Sequence, residues 1–471
     1  MPHSHKLIQS FGKYALHHVS SGQAHTILRR LWQILAILAF FLVQIFWMGE
    51  VRRISGEEIS RVNLPGEAWR RHVIDDRYDG PDGTKLGDVN GDGRLDVVTG
   101  WESEGLTVAY LQPESQFIRR SWPSVVVGKT PKAEDAVFLD LNRDGNLDVI
   151  SSCEQHVEKA FVHWGPVRDK ILDPHAWRQQ ELTPISGISQ WMFAEPIPLR
   201  DGDREVTAVV LGGKNYERNQ TAKLGLVVPG DDLGAVQDYR WQPLADVSWV
   251  MSIIVADLNG DKHADILYSD KHGPGCGVWW LENPGSVKPS ESWSKHAVTT
   301  GVLDGCMLIA YADFDGDGLR DVVAPVDFPV VEGQTRQRYL RLLRRLPSTE
   351  VAWQQQDLML PPLTGQPKAV TVGDINLDGK ADLVVSSTGA ENGQTGTYWL
   401  EQGNTVSAHD WQPRRIAAPT GIKYDLVHVV DLDGDGDLDT LTSEEKVEGR
   451  GLGVFWYENP VRARAVQEAP Q

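Results

Sequence analysis

Residues Asp431 to Asp439 read DLDGDGDLD, an acidic nonapeptide whose side chains are spaced like those of a calcium loop. Asp431, Asp433, Asp435 and Asp439, at positions one, three, five and nine, offer the hard oxygen ligands that Ca²⁺ prefers, and position seven, Asp437, adds a backbone carbonyl. Gly436 at position six lets the backbone turn tightly enough for both arms to converge on one ion. One such stretch also reads as a solvated acidic turn, and its recurrence in register decides between the two.

Five further copies supply Asp88, Asn90, Asp92, Arg94 and Asp96; Asp140, Asn142, Asp144, Asn146 and Asp148; Asp257, Asn259, Asp261, His263 and Asp265; Asp313, Asp315, Asp317, Leu319 and Asp321; and Asp374, Asn376, Asp378, Lys380 and Asp382. The fourth residue named in each set stands at position seven and would ligate through its carbonyl. The starts lie about 52 to 61 residues apart, apart from one gap of about twice that. Within the gap, PIPLRDGDREVTAVVLGG (196–213) aligns its apolar run with the others but places Arg200, Gly202, Arg204 and Ala208 at the ligand positions. That copy should hold no ion. Lys262 replaces the position-six glycine in the copy at Asp257, so five to six structural Ca²⁺ sites are expected.

Around the loops the pattern is of strands. A β-branched run precedes each loop and another follows, as at Ile253, Ile254, Val255 and at Val97, Val98. An aromatic strand comes next (GVWWLENP at 277, GTYWLEQG at 396, GVFWYENP at 453). The fourth is led by Trp69, Trp177, Trp241, Trp293, Trp353 or Trp411, with Phe117 taking that place in the first repeat. One four-stranded meander cannot bury both faces, so seven of them packed radially make an all-β, seven-bladed β-propeller. An EF-hand is excluded, since Thr99, Ser151, Tyr268, Ala324, Val385 and Thr442 stand where it needs a glutamate. The chain enters on a fourth-strand sequence, AWRRHVI (68–74), and leaves on a third-strand sequence, so the N-terminal strand should complete the last blade and remove its exposed edge.

The expected domains are a short basic tail (1–30), a transmembrane anchor (31–49), a linker (50–66), the propeller (67–460) and a flexible tail (461–471). LWQILAILAFFLVQIFWMG matches the length of a bilayer-spanning helix, with a cleaved signal peptide and a buried helix as competing readings. The flanking basic residues hardly set its orientation; calcium loops, which fill where Ca²⁺ is plentiful, place the propeller outside the cytosol, periplasmic or at the cell surface. The histidines before the anchor (His3, His5, His17, His18, His25) read as solvated. A net charge of −19 excludes nucleic acid as a partner. The cysteines (Cys153, Cys276, Cys306) form no CxxC pair; Cys276 and Cys306 fall on one predicted face in adjacent blades, with free buried thiols as the default and a disulfide as the alternative. The WxxH pairs Trp69/His72 and Trp293/His296 read as a wedging Trp and an edge His without a ligand role.

Loops of the form DVNGDG followed by an apolar strand resemble the FG-GAP and VCBS-type repeats of integrin α-subunit propellers and bacterial surface proteins, over about residues 67–460. The resemblance implies that each loop joins the first and second strands of a blade and that the ions sit on the lower face. DKHGPGCGVWWLENPG (270–285) is further similar to a segment of aldos-2-ulose dehydratase-like proteins, though this chain ends without the additional domain of those enzymes.

The opposite, upper face then gathers Lys85, Glu134, Asp135, Trp191, Trp249, Asp304, Lys368, Lys423, Tyr424 and Asp425 from segments leading into first strands. His156, Lys214, Tyr216, Lys271, His272 and Glu444 join them from the loops between second and third strands. Such a concave set suits a glycan or protein ligand, and a binding module is the expected role. A sugar lyase or dehydratase is the alternative, with Lys271, His272, Tyr424 and Asp425 as catalytic candidates.

Overall fold

The β-branched and aromatic runs form strands that pair antiparallel, four to a sheet, in seven sheets. The computed structural model of the protein describes residues 64–462 apart from 216–220, 287–291, 300–302, 329–336, 349–350, 363, 391–393 and 446–450. The chain divides into units Met1–Asn63 and Leu64–Gln471, and the description covers the second. The expected anchor at 31–49 and Tyr216 lie outside the described residues, among which no helix is long and apolar enough to cross a membrane.

Blade 1 runs Pro81–Gly87, Asp96–Trp101, Leu106–Tyr110, Ser124–Lys129, and blades 2 to 6 repeat that order over 133–181, 190–247, 250–297, 310–359 and 366–415. Blade 7 takes Tyr424–Val430, Asp439–Glu444 and Gly453–Glu458 from the end of the chain and its outer strand, Arg70–Asp75, from the start. Closure follows the expectation: Arg70 faces Glu458 and His72 faces Trp456. Across the seam to blade 1, Val97, Trp101, Tyr110, Leu432, Leu441 and Trp456 pack in one buried cluster. Tyr110 donates to Asp75 at 3.0 Å, and Arg119 bridges Glu458 (2.7 Å) and Asp433 (2.5 Å).

Two expectations need correction. Phe117 does not lead the fourth strand of blade 1; it is 41% exposed, and Trp122, buried two residues before Ser124, takes that role. Blade 3 has no degenerate loop at all. Gln190–Asp201 and Arg204–Lys214 run on as a long hairpin turning at Gly202, whose φ is +66°, so the residues aligned with ligand positions belong to strands and a tight turn. The WxxH histidines lie on the outer strands of blades 7 and 4 and are tied into the sheet: His72 and His296 pack on Trp456 and Trp280 and reach Glu458 (2.6 Å) and Glu282 (2.8 Å), with His72 buried. All three cysteines are buried free thiols.

Each nonapeptide joins the first and second strands of its blade, and its ninth residue starts the second strand fully or nearly buried. That carboxylate spans the blade. In blade 6, Asp382 accepts the Ile375 N–H within the loop at 3.0 Å and the Gln402 N–H at the end of the third strand at 2.8 Å. Asp96, Asp148, Asp265 and Asp439 do the same in their blades. An Asp382→Ala protein should lose about 2–5 kcal/mol, because two buried N–H groups are left without an acceptor, with Asp382→Asn intermediate. Urea denaturation measures it, and a loss below ~1 kcal/mol would mean that the N–H groups find other partners.

Candidate functional site

On the lower face the six loops share one backbone path. Position four is left-handed in all of them (Gly91, Arg143, Gly260, Gly316, Leu377, Gly434), and so is position six (Gly93, Gly145, Lys262, Gly318, Gly379, Gly436). The position-one carboxylate accepts the position-six N–H at 2.9 to 3.1 Å throughout, and the position-five carboxylate accepts the position-seven N–H. This folds each loop around its own acidic side chains. Lys262 therefore adopts the glycine conformation, at about 1–2 kcal/mol of strain.

Carboxylate oxygens of Asp313, Asp315 and Asp317, and of Asp431, Asp433 and Asp439, lie within 4.8 Å of one another, close enough to share one ion. Every side-chain donor of the six sets at positions one, three, five and nine is an oxygen, which fits a hard divalent cation. Positively charged neighbours already lean on several sets: Arg344 on Asp315, Arg119 on Asp433, Arg94 on Asp92. Burial pushes the ninth carboxyl upward, to about 6 at Asp96, about 7 at Asp148, Asp321 and Asp382, and about 8 at Asp439.

At the upper face, six of the seven first strands carry a register break near their start. Such a bulge turns one extra side chain toward the ring axis. The displaced residues Glu134, Met192, Met251 and Lys368 accordingly line a basin of about 420 Å³, with Met307 in the equivalent place in blade 5. Lys214, Trp249, Lys271 and Lys423 complete the predicted lining; Glu102, Glu154, Gln155 and Asp327 had given no signal in the sequence. The methionines did leave one: three of the chain's six recur at one strand position, in WMFA, VMSI and CMLI.

Other candidates sit elsewhere. Tyr424 is fully buried, donates to the Thr420 carbonyl at 2.6 Å and has its hydroxyl pushed up to about 12 by burial, so it is no exposed proton acceptor. Gly396 and Gly421 make room for its ring, since a Cβ on either would fall 1.9 and 2.8 Å from it. Trp191 is core, and Glu444 caps the N–H groups of Ile422, Lys423 and Leu452. Lys85 and Asp135 pair below the surface at 2.8 Å. His156 is exposed beyond the basin lining, and His272 holds Asp304 at 2.6 Å beside it.

Charge in the basin is mostly paired: Lys214 with Glu154, Lys368 with Asp425, Lys423 with Glu445. Among the described residues Lys271 has no carboxylate at ion-pair distance; its ammonium lies 4.7 Å from the Trp249 ring, as does that of Lys214. Burial and the neighbouring charges of Lys368 and Lys214 bring Lys271 down to about 8, while burial raises Glu134. Under the rim, burial and then the carboxylates of Glu445 and Asp425 push Asp82 well up. Asp425 stays low despite its burial, through Lys368 and a hydrogen bond from Asp82.

The FG-GAP-like repeat pattern matches residues 88–151 and 374–442, each match running from one acidic loop into the next. Those repeats within a closed ring of seven four-stranded blades make the chain an FG-GAP repeat propeller. No curated protein matches the sequence. Among solved structures, BBS1N in its complex with ARL6DN is 9% identical with a TM-score of 0.46, over 83% of this chain and 96% of that one. The V. cholerae biofilm matrix protein Bap1 is 12% identical with a TM-score of 0.40, over 83% and 90%.

Asp82 makes a pH prediction. With its pKa raised in the fold, it keeps a proton that the unfolded chain releases above about pH 4, so its contribution to stability falls as pH rises from there toward the folded pKa. Asn does not titrate and still donates to Asp425. Asp82→Asn should therefore melt higher than the parent at about pH 8 and not at about pH 4; equal melting at both would contradict a shared proton.

Proposed function

We propose that this FG-GAP propeller is an extracytoplasmic binding module, anchored through segment 31–49, stabilised by calcium at its lower face, and binding a glycan in its upper basin. The observation that carries the reading is the basin itself. Successive bulged strands present a methionine floor, the Trp249 indole and fixed ammonium and carboxylate groups around a concavity of ligand size. Apolar patches for sugar C–H faces beside charged hydrogen-bonding groups are what a glycan requires.

The second reading, an eliminating enzyme, rests on Lys271 and Glu134, a partly neutral amine and a carboxyl held toward protonation in one cavity. Such a pair suits a base and an acid. A glycan array separates the readings: retention without chemical change supports the module, and new unsaturated or dehydrated products support the enzyme. Within the first reading, Trp249→Ala should weaken retention at least about tenfold. An array on which the folded protein retains no glycan overturns it.

Calcium is tested separately. Metal-free protein should melt lower than Ca²⁺-loaded protein, and the gap should widen between about pH 5 and pH 8. The sign follows from the raised ninth carboxyls: without an ion, their ionisation in the fold is unfavourable and stability falls as pH climbs through about 6 to 8. A bound divalent ion holds them ionised and removes that slope. Identical melting with and without Ca²⁺ across this range excludes structural calcium.

A further inference from the structure

The lower face is acidic in every repeat but one. Where blade 3 replaces its loop with a hairpin, a cleft of about 380 Å³ opens against the loops of blades 2 and 4. Three departures from the repeat pattern meet there. Arg143 takes position four of the blade 2 loop at φ +59°, and Lys262 takes position six of the blade 4 loop at φ +74°. Arg200 comes from the hairpin. Of the three residues other than glycine in these left-handed positions, two are cations on this cleft; the third, Leu377, is in blade 6.

A strained conformation persists only where the surroundings impose it or a side chain is needed. A side chain at position six has room but no packing partner to justify it: the glycines there in blades 1, 2, 5 and 6 have no heavy atom within 4 Å of an added Cβ. What Arg143 and Lys262 add is charge. Of the two carboxylates in the cleft, Asp257 is turned into its own loop, accepting the Gly260 and Lys262 N–H groups at 2.7 and 2.9 Å. Glu205 is 63% exposed; its carboxylate stands between Arg143 and Arg200 at 3.8 and 3.6 Å, long for ion pairs, and its carbonyl accepts a hydrogen bond from Arg143 Nη1 at 2.5 Å. Lys262 has no ion-pair partner among the described residues. Two guanidinium groups and an ammonium line one opening, and these are the groups that recognise an oxyanion.

We propose that the cleft between blades 2, 3 and 4 on the lower face is a binding site for the oxyanion group of a ligand, a sulfate, phosphate or carboxylate. It is separate from the upper basin and independent of what that basin binds. The test is calorimetric titration of inorganic sulfate into the full chain, Ca²⁺-loaded and at constant ionic strength. Saturable binding is expected, weakened roughly tenfold by Arg200→Ala and by Lys262→Gly. Lys262→Gly restores the glycine of the other loops and should at the same time raise the melting temperature, so lost binding cannot be put down to lost folding. Vesicles of phosphatidylglycerol in phosphatidylcholine separate the sources: capture that both variants abolish assigns a lipid headgroup, and sulfate binding without capture assigns a soluble ligand. Absence of saturable sulfate binding, or binding that both variants leave intact, overturns the site.

Discussion

A buried carboxylate at the start of the second strand ties the loop of each loop-bearing blade to the end of the third strand of the same blade. The loop that precedes it and the end of the third strand both present a backbone N–H to the interior. One aspartate satisfies both. The arrangement needs the charge-bearing group in the protein interior, and burial raises its pKa accordingly. Acidic side chains clustered at the lower face are thus part of how the ring folds, before any ion is considered. Blade 3, without the loop, dispenses with the carboxylate and extends its hairpin by pairing alone.

The two faces divide the chemistry. Below, short-range hydrogen bonds within nine residues fix the acidic groups, so each site is local and can be repeated. Above, the lining is shared among several blades, and no blade owns the site. The Lys214–Glu154 pair on that rim is buried and hydrogen-bonded, an arrangement whose removal in halves is costly. The rim is therefore stiff, and Lys271 is distinguished from the other lysines by facing an indole in place of a carboxylate.

The ring was legible because its signal is redundant: six nonapeptides in register, each flanked by β-branched runs, leave little freedom for another fold. Ring closure was legible for the same reason, since Trp69 and His72 repeat Trp293 and His296. The basin was only half legible. Glu134 and Lys368 were legible, but Met192 and Met251 were not, because strand alternation assigns side chains to faces by a period of two and a bulge breaks that period at each. Tyr424 looked exposed because it heads a strand, and the space made by Gly396 and Gly421 is a tertiary fact. The left-handed turn at position four was hidden by Arg143 and Leu377, which mask the glycine preference seen in the other copies. Trp122 was passed over for Phe117 because the spacing to the fourth strand differs in blade 1.

The outer strand of blade 7 is made first and paired last. His72 and Glu458 are separated by 386 residues, so at ribosomal rates the strand Arg70–Asp75 waits roughly 20–80 s for Gly453–Glu458 to emerge. Through that interval it is a bare β-edge beside a growing set of finished blades. Its sequence, RRHVID, carries charge at Arg70, Arg71 and Asp75, and charged side chains are how natural edges discourage unwanted pairing. Asp75, which later locks the ring through Tyr110, thus first acts as a guard for the nascent chain.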